Sequence, residues 1–221
     1  MNIAIDGHAG SGKSTVAERL SDLLGYKLLN TGEIYRSFAC AYLEENLGDP
    51  NDRIVENFIK NKEVVIKFVE KEQFVYINNV CYKSKLRDEK VSMMTSKLSA
   101  FKPLRDKLVL IQRQFANENN CIMEGRDIGT VVLPNAEIKL FITASQEVRA
   151  KRRFEQVVLK DKNADLEKVL EDLKQRDYND ENRNIAPLKC ADDAILVDNT
   201  NLNIEETVQK CLEIISKKLK R

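Results

Sequence analysis

Residues 1–20 read MNIAIDGHAGSGKSTVAERL, and Gly7 to Ser14 match G-x-x-x-x-G-K-[ST], the pattern of a phosphate-binding P-loop. The setting agrees with the motif. Asn2 to Asp6 reads as a short buried strand, and Lys13 to Leu24 carries Val16, Ala17, Leu20, Leu23 and Leu24 at helical spacing. A loop between strand and helix must turn tightly enough for successive backbone N–H groups to converge on one point, and the glycines at 7, 10 and 12 remove the side chains that would obstruct this. The converging N–H groups and the helix start then cradle phosphate oxygens. Lys13 is placed to reach β- and γ-phosphates, and the Ser14 hydroxyl is placed for Mg²⁺. Gly7, His8, Ala9, Gly10, Ser11, Gly12, Lys13, Ser14 and Thr15 are therefore the expected nucleotide contacts. His8, the only histidine, reads as a tolerated loop residue and not as a catalyst.

Working outward, apolar strand candidates fall at 3–5, 27–29, 121–123, 138–142 and 194–197, separated by helical patterns. This predicts an α/β fold in three layers, with about five parallel strands and helices on both faces. One stretch breaks the rhythm. EVVIKFVEKEQFVYINNVCYK, residues 63–83, alternates apolar and polar positions and offers a turn at Asn78–Asn79, which predicts a small antiparallel insertion. The lysine-rich end SKKLKR reads as a solvated helix C-terminus, where cations suit the dipole.

Composition excludes some classes. Lys+Arg 36 against Asp+Glu 35 leaves a formal net charge of +1, far from the basic excess of a general nucleic-acid or membrane-surface binder. No apolar run approaches membrane-span length and the chain enters its first strand without a signal peptide, so a cytoplasmic location is expected. Cys40, Cys81, Cys121, Cys190 and Cys211 form no C-x-x-C pair, and no second histidine is present to complete a zinc site. They read as reduced, mostly buried residues.

The remaining motifs must choose among switches, motors and kinases. NKEV at 61–64 lacks the aspartate of a base-reading N-K-x-D. CIME places Glu124 after an apolar strand, where either a Mg²⁺ carboxylate or a structural loop residue would fit. In ADLEKVLEDLKQRDYNDENR the apolar stripe Leu166, Val169, Leu170, Leu173 continues onto Arg176, Asp180 and Arg183. Such a face either lines a polar cleft or forms a surface salt-bridge ladder. Arginines tip the balance. Arg36 and Arg126 each follow a strand and turn, on the rim where a parallel sheet binds ligands, and Arg149, Arg152 and Arg153 cluster in VRAKRRF. Two phosphate sites on one rim imply a donor nucleotide and a phosphorylated acceptor. A phosphate monoester, with a second pKa near 6, is already largely an oxyanion at neutral pH, so no general base is required.

IDGHAGSGKST, LLNTGEIYR, LSAFKPLR, GRDIGTVV and QRDYNDENRNIAPL, in this order and spacing, resemble the bacterial cytidylate kinases over nearly the whole chain. The resemblance implies a P-loop nucleoside monophosphate kinase core at 1–62 and 98–221, a CMP-binding insertion at 63–97 and an arginine-bearing lid at about 152–162. It implies transfer of the γ-phosphoryl group of ATP, with Mg²⁺, to CMP and dCMP, by a monomer with no nucleic-acid or membrane partner. Carried over by position, Thr31, Tyr35 and Arg36 lie on the acceptor side, with Arg36 and Arg126 on the CMP phosphate. Ser96, Arg105 and Asp127 face cytosine, and Arg176, Asp180 and Arg183 surround ribose and phosphate. Lys13, Arg126, Arg152 and Arg153 would be catalytic, the last two falling in the lid, where one or both would meet the ATP phosphates. The chain departs from the family pattern at His8 for proline and at Asn30 and Glu124 for aspartate. The competing readings are another small-molecule P-loop kinase, a nucleotide-driven switch or ATPase, and a non-enzymatic ATP-binding regulator.

Overall fold

The computed structural model describes residues 1–159 and 162–219. In chain order its first half comprises β1 (Asn2–Asp6), α1 (Lys13–Leu24), β2 (Lys27–Asn30), α2 (Thr31–Glu44), α3 (Asp52–Lys60), β3 (Val64–Val69), β4 (Glu72–Ile77), β5 (Val80–Cys81) and α4 (Glu89–Leu98). The second half comprises α5 (Lys102–Glu118), β6 (Cys121–Gly125), β7 (Ile138–Thr143), α6 (Gln146–Val158), α7 (Leu166–Asn182), β8 (Ile195–Asp198) and α8 (Ile204–Leu219).

The expected parallel sheet is present, in the order β2-β6-β1-β7-β8 with every pairing parallel. Central β1 is apolar on both faces because both are covered. Ile3 and Ile5 pack with Val16, Ala17 and Leu20 of α1 and with Val208, Cys211 and Ile215 of α8. Ala4, pointing the other way, joins Leu29, Ile34, Phe38, Leu104 and Leu108 under α2 and α5. Parallel strands carry all their carboxyl ends to one rim, so Gly7, Thr31, Arg126 and Ser145 start their loops or helices side by side.

The insertion is a three-stranded antiparallel sheet, β3-β4-β5, with α4 packed on α2. The expected Asn78–Asn79 turn joins β4 to β5, both residues at positive φ (47° and 67°) as a two-residue hairpin turn requires. A second tight turn, at Glu70 and Lys71, also takes positive φ, without the glycine or asparagine that would have flagged it. Val75, Ile77, Tyr82, Leu86, Val91 and Leu98 join the same apolar cluster as α2, so the insertion shares the core of the main sheet.

Some expectations change. Leu23 is 62% exposed, because Val16, Ala17 and Leu20 already fill the buried stripe of α1. Leu166, at the start of the stripe in α7, is 44% exposed. That helix ends at Asn182, so Arg183 sits just past it in extended backbone (φ −65°, ψ 140°) and not on its face. Residues 152–158 of the expected lid continue α6 as helix. Lys160 and Asp161 of that segment, and Lys220 and Arg221 at the chain end, lie outside the described residues. Cys40, Cys121 and Cys211 are buried, and no disulfide forms among the described residues. Among them, no helix is long and apolar enough to cross a membrane.

Candidate active site

The P-loop holds its shape by fastening carbonyl oxygens outward. Arg149 Nη1 donates to Ala9 O at 3.1 Å, Asn199 Nδ2 donates to Ser11 O at 2.9 Å, and Lys13 Nζ donates to His8 O at 3.3 Å. With the carbonyls so engaged, the N–H groups are left to face a ligand. Gly7, at φ 150°, passes so close to β7 that a Cβ would lie 2.0 Å from Ile142 O. Gly12 caps α1 at φ 82°. Thr15 is exposed on the outer face of α1. His8 turns away from the rim, its ring edge-on to Phe141 and its Nε2 2.7 Å from Glu181 Oε1. It lines a separate cleft of about 560 Å³ with α6 and α7.

Beside the loop, Ser14 Oγ donates to Glu124 Oε2 at 2.8 Å, and Glu124 Oε1 is buried without a partner. A hydroxyl with a half-satisfied buried carboxylate is the oxygen donor set that a Mg²⁺–phosphate complex uses. Asn30, the other departure from aspartate, caps α2 by accepting from Glu33 N at 3.1 Å. Its backbone is held by the Gln73 amide of β4, which donates to Asn30 O at 3.0 Å and accepts from Asn30 N at 2.9 Å.

A single cleft gathers Lys13 and Ser14 with Thr31, Tyr35, Arg36, Ser96, Arg105, Arg126, Asp127, Arg176, Asp180 and Arg183, which is the whole expected acceptor set. Thr31 Oγ1 donates to Glu124 O at 2.8 Å. Arg105, its guanidinium 5.7 Å from the Tyr35 ring centre, hydrogen-bonds Asp127, and Arg183 Nη2 reaches the other oxygen of Asp127 at 3.4 Å. Asp127 therefore neither pairs with Arg126 nor caps its own turn. Arg126 Nε donates instead to Asp180 Oδ2 at 2.8 Å. Asp180 is 7% exposed, which rules out the surface ladder.

The cleft is short of negative charge. The side chain of neither Arg36 nor Arg176 makes a hydrogen bond or ion pair with another described residue, although both line the cleft beside Lys13. Burial, with Arg126 beside it, pulls the Lys13 ammonium down to about 7. The same two causes bring Arg176 down to about 9 and also lower Arg36. Burial alone would raise Asp180, but Arg126 and Arg176 hold it below the usual carboxylate range. At Asp127 burial prevails over Arg105 and Arg183, and its carboxyl is raised.

A family profile described as cytidylate kinase matches residues 3–217. The chain belongs to the cytidylate kinase family. It is 42% identical to a cytidylate kinase of Caldicellulosiruptor bescii over 100% of this chain and 97% of the relative. It is 44% identical to that of Caldicellulosiruptor saccharolyticus, over 98% and 96%. A crystal structure of an uncharacterized protein from Eubacterium ventriosum matches 98% of each chain at a TM-score of 0.52 and 15% identity, a likeness of fold alone.

Within the cytidylate kinase frame, the two expected lid arginines separate. Arg152 donates to Asn199 Oδ1 and O, each at 3.0 Å, and to Ser11 O at 3.5 Å, so it braces the P-loop. Arg153 is exposed and bonds Gln156 of its own helix at 3.3 Å, yet its charge is felt by Arg36 and Arg176. Two bracing residues were not expected. Arg149, buried and paired with Asp177 at 2.6 Å, lies one turn before Arg152, a spacing that puts both on one side of α6. Asn199 directly follows the last strand of the rim, and that position was its only signal in the sequence.

Proposed function

We propose that this protein transfers the γ-phosphoryl group of ATP to CMP, giving CDP and ADP, and that dCMP is also accepted. The observation that carries the reading is the cleft itself, where Lys13, Arg36 and Arg176 converge with no carboxylate ion pair of their own, only partly offset by Glu124 and Asp180, next to the Arg105–Asp127–Arg183 cluster. Unpaired buried cations need an anionic ligand, and two phosphoryl groups meeting there supply one.

An oxygen of the CMP phosphate attacks the γ-phosphorus in line, forming a new P–O bond while the bond to the β–γ bridging oxygen breaks. The nucleophile is already an oxyanion, so the chain's work is alignment and charge neutralisation. Lys13 would face the β- and γ-phosphates, Arg126 and Arg36 would hold the acceptor phosphate, and Arg153 would meet the donor phosphates, the role its place in the lid motif implies. Ser14 and Glu124 would hold Mg²⁺, which when bound draws charge from the β- and γ-oxygens. At the base, cytosine offers an N4 amino donor and an N3 acceptor, matching the Asp127 carboxylate and a donor from Arg105 or Ser96.

ADP release with ATP and Mg²⁺ across CMP, dCMP, UMP, AMP and GMP tests the reading. Turnover concentrated on CMP and dCMP is expected. ATP hydrolysis independent of acceptor, or preference for another monophosphate, would overturn it.

A further inference from the structure

Asp6 ends β1 immediately before Gly7 and is 5% exposed. Its carboxylate crosses to the segment after β6 and accepts one backbone N–H on each oxygen, Ile128 N at 2.8 Å on Oδ1 and Gly129 N at 2.7 Å on Oδ2. Those N–H groups open a single π-helical turn, Ile128–Val132, which receives no cap bond from the Asp127 side chain. The first N–H groups of a helical turn have no partner inside it, so Asp6 caps this one from a neighbouring strand. The fit is close: a Cβ added to Gly129 would lie 3.4 Å from Asp6 Oδ2 and 3.1 Å from Lys139 Cδ. The register is fixed too, since β1 and β6 pair Asp6 with Gly125, one residue before Arg126.

We propose that Asp6 is a positioning residue, a carboxylate strut that sets Arg126 and Asp127 at a fixed height against the P-loop. One covalent step joins it to Gly7, and two charge-assisted hydrogen bonds join it to the residues directly after Asp127. A shift of this turn would move Asp127, and with it Arg105 and Arg183, away from the base and acceptor phosphate. The inference rests on the roles proposed above for Arg126 and Asp127.

Burial raises the Asp6 carboxyl to about 6, against the pull of the two N–H groups. Asp127 raises it further and Arg126 lowers it, while Lys139 and Cys190 are its other titratable neighbours.

Asp6→Asn keeps the shape but turns an amide donor toward one of the two N–H donors. With one strut bond lost, kcat/KM for CMP is expected to fall by about tenfold or more. The CMP-to-UMP ratio of kcat/KM should fall at least about threefold while KM for ATP stays within about twofold, a smaller fraction of the same loss. In the wild type the amide NMR signals of Ile128 and Gly129 should move with pH as Asp6 titrates at about 6, and in the variant that step should be lost, leaving only what Asp127 contributes. An unchanged CMP-to-UMP ratio, or amides indifferent to pH in the wild type, would overturn the proposal. Should Asp6→Asn not fold, Asp6→Glu keeps the charge and lengthens the strut by one methylene, and the same ratio decides. A wild type that ignores CMP would refute the proposed function instead, so the two failures are distinct.

Discussion

Asp180 of α7 accepts a hydrogen bond from Arg126, which follows β6, at 2.8 Å, and so it holds the nearest counter-charge to an arginine in a cleft crowded with cations. Asp180→Ala leaves Arg126 unpaired beside Arg176. Breaking a buried pair of this kind costs about 3 kcal/mol, or about 6–12 °C in Tm for a chain of this size. KM for CMP should rise about tenfold with that for ATP little changed, if Asp180 serves the acceptor side as proposed. Steady-state kinetics beside a thermal melt check both. Equal changes for the two substrates would remove Asp180 from the acceptor site.

Lys13 carries the second expectation. Lys13→Met removes the cation proposed to face the transferring group and should lower kcat by about 10²-fold or more with the fold intact. Because its ammonium is pulled from 10.5 to about 7, the folded chain binds this proton less tightly than the unfolded chain. The Lys13 contribution to stability therefore rises with pH from about 7 to about 10.5. Anionic phosphate reverses the shift, so ATP binding at about pH 8 should take up as much as about one proton. Calorimetry in buffers of different ionisation enthalpy measures the uptake, and Lys13→Met should abolish it.

The proposed reading of the base rests on Asp127. Uracil turns a carbonyl oxygen toward the carboxylate and an N3–H toward the arginine, leaving buried groups unpaired. Asp127→Ala should lower kcat/KM for CMP more than for UMP and shrink the preference by about 1–3 kcal/mol. An equal fractional loss for both nucleotides would make Asp127 a support for Arg105 and Arg183 that does not read the base.

Gly7→Ala should fail outright. The added methyl would overlap Ile142 O of β7 at 2.0 Å, on backbone at φ 150°. Either β1 and β7 separate or the loop changes course, so loss of ATP binding with a lowered Tm is expected. A variant that binds ATP normally would contradict the close approach.

The sequence announced the parallel sheet because buried strands such as Ile3–Ile5 are apolar on both faces and the glycine loop fixes where the first one ends. Arg36 and Arg126 were legible from their places after strands and Arg176, Asp180 and Arg183 from a helical stripe, whereas Arg105 and Asp127 came only with the family resemblance, and the structure brings all of them together. Who pairs with whom was not. Arg126 takes Asp180 and not its neighbour Asp127, because Asp127 faces Arg105 and Arg183 from other elements. The Glu70–Lys71 turn lacked turn chemistry, and strand pairing imposed it. Arg183 fell on the helical stripe by counting, but the helix stops one residue short.

The fastening of the P-loop has a consequence for the order in which the molecule is made. Its motif leaves the ribosome well over a hundred residues before Arg149, Arg152 and Asn199, the side chains that hold Ala9 O and Ser11 O. Among the described residues β1 itself pairs only with β6 and β7, which arrive more than a hundred residues later. A nascent chain that stops short of β8 therefore displays the complete nucleotide motif without the Asn199 anchor of its loop. The capacity to grip a phosphate is written in one short motif and delivered by side chains made far later.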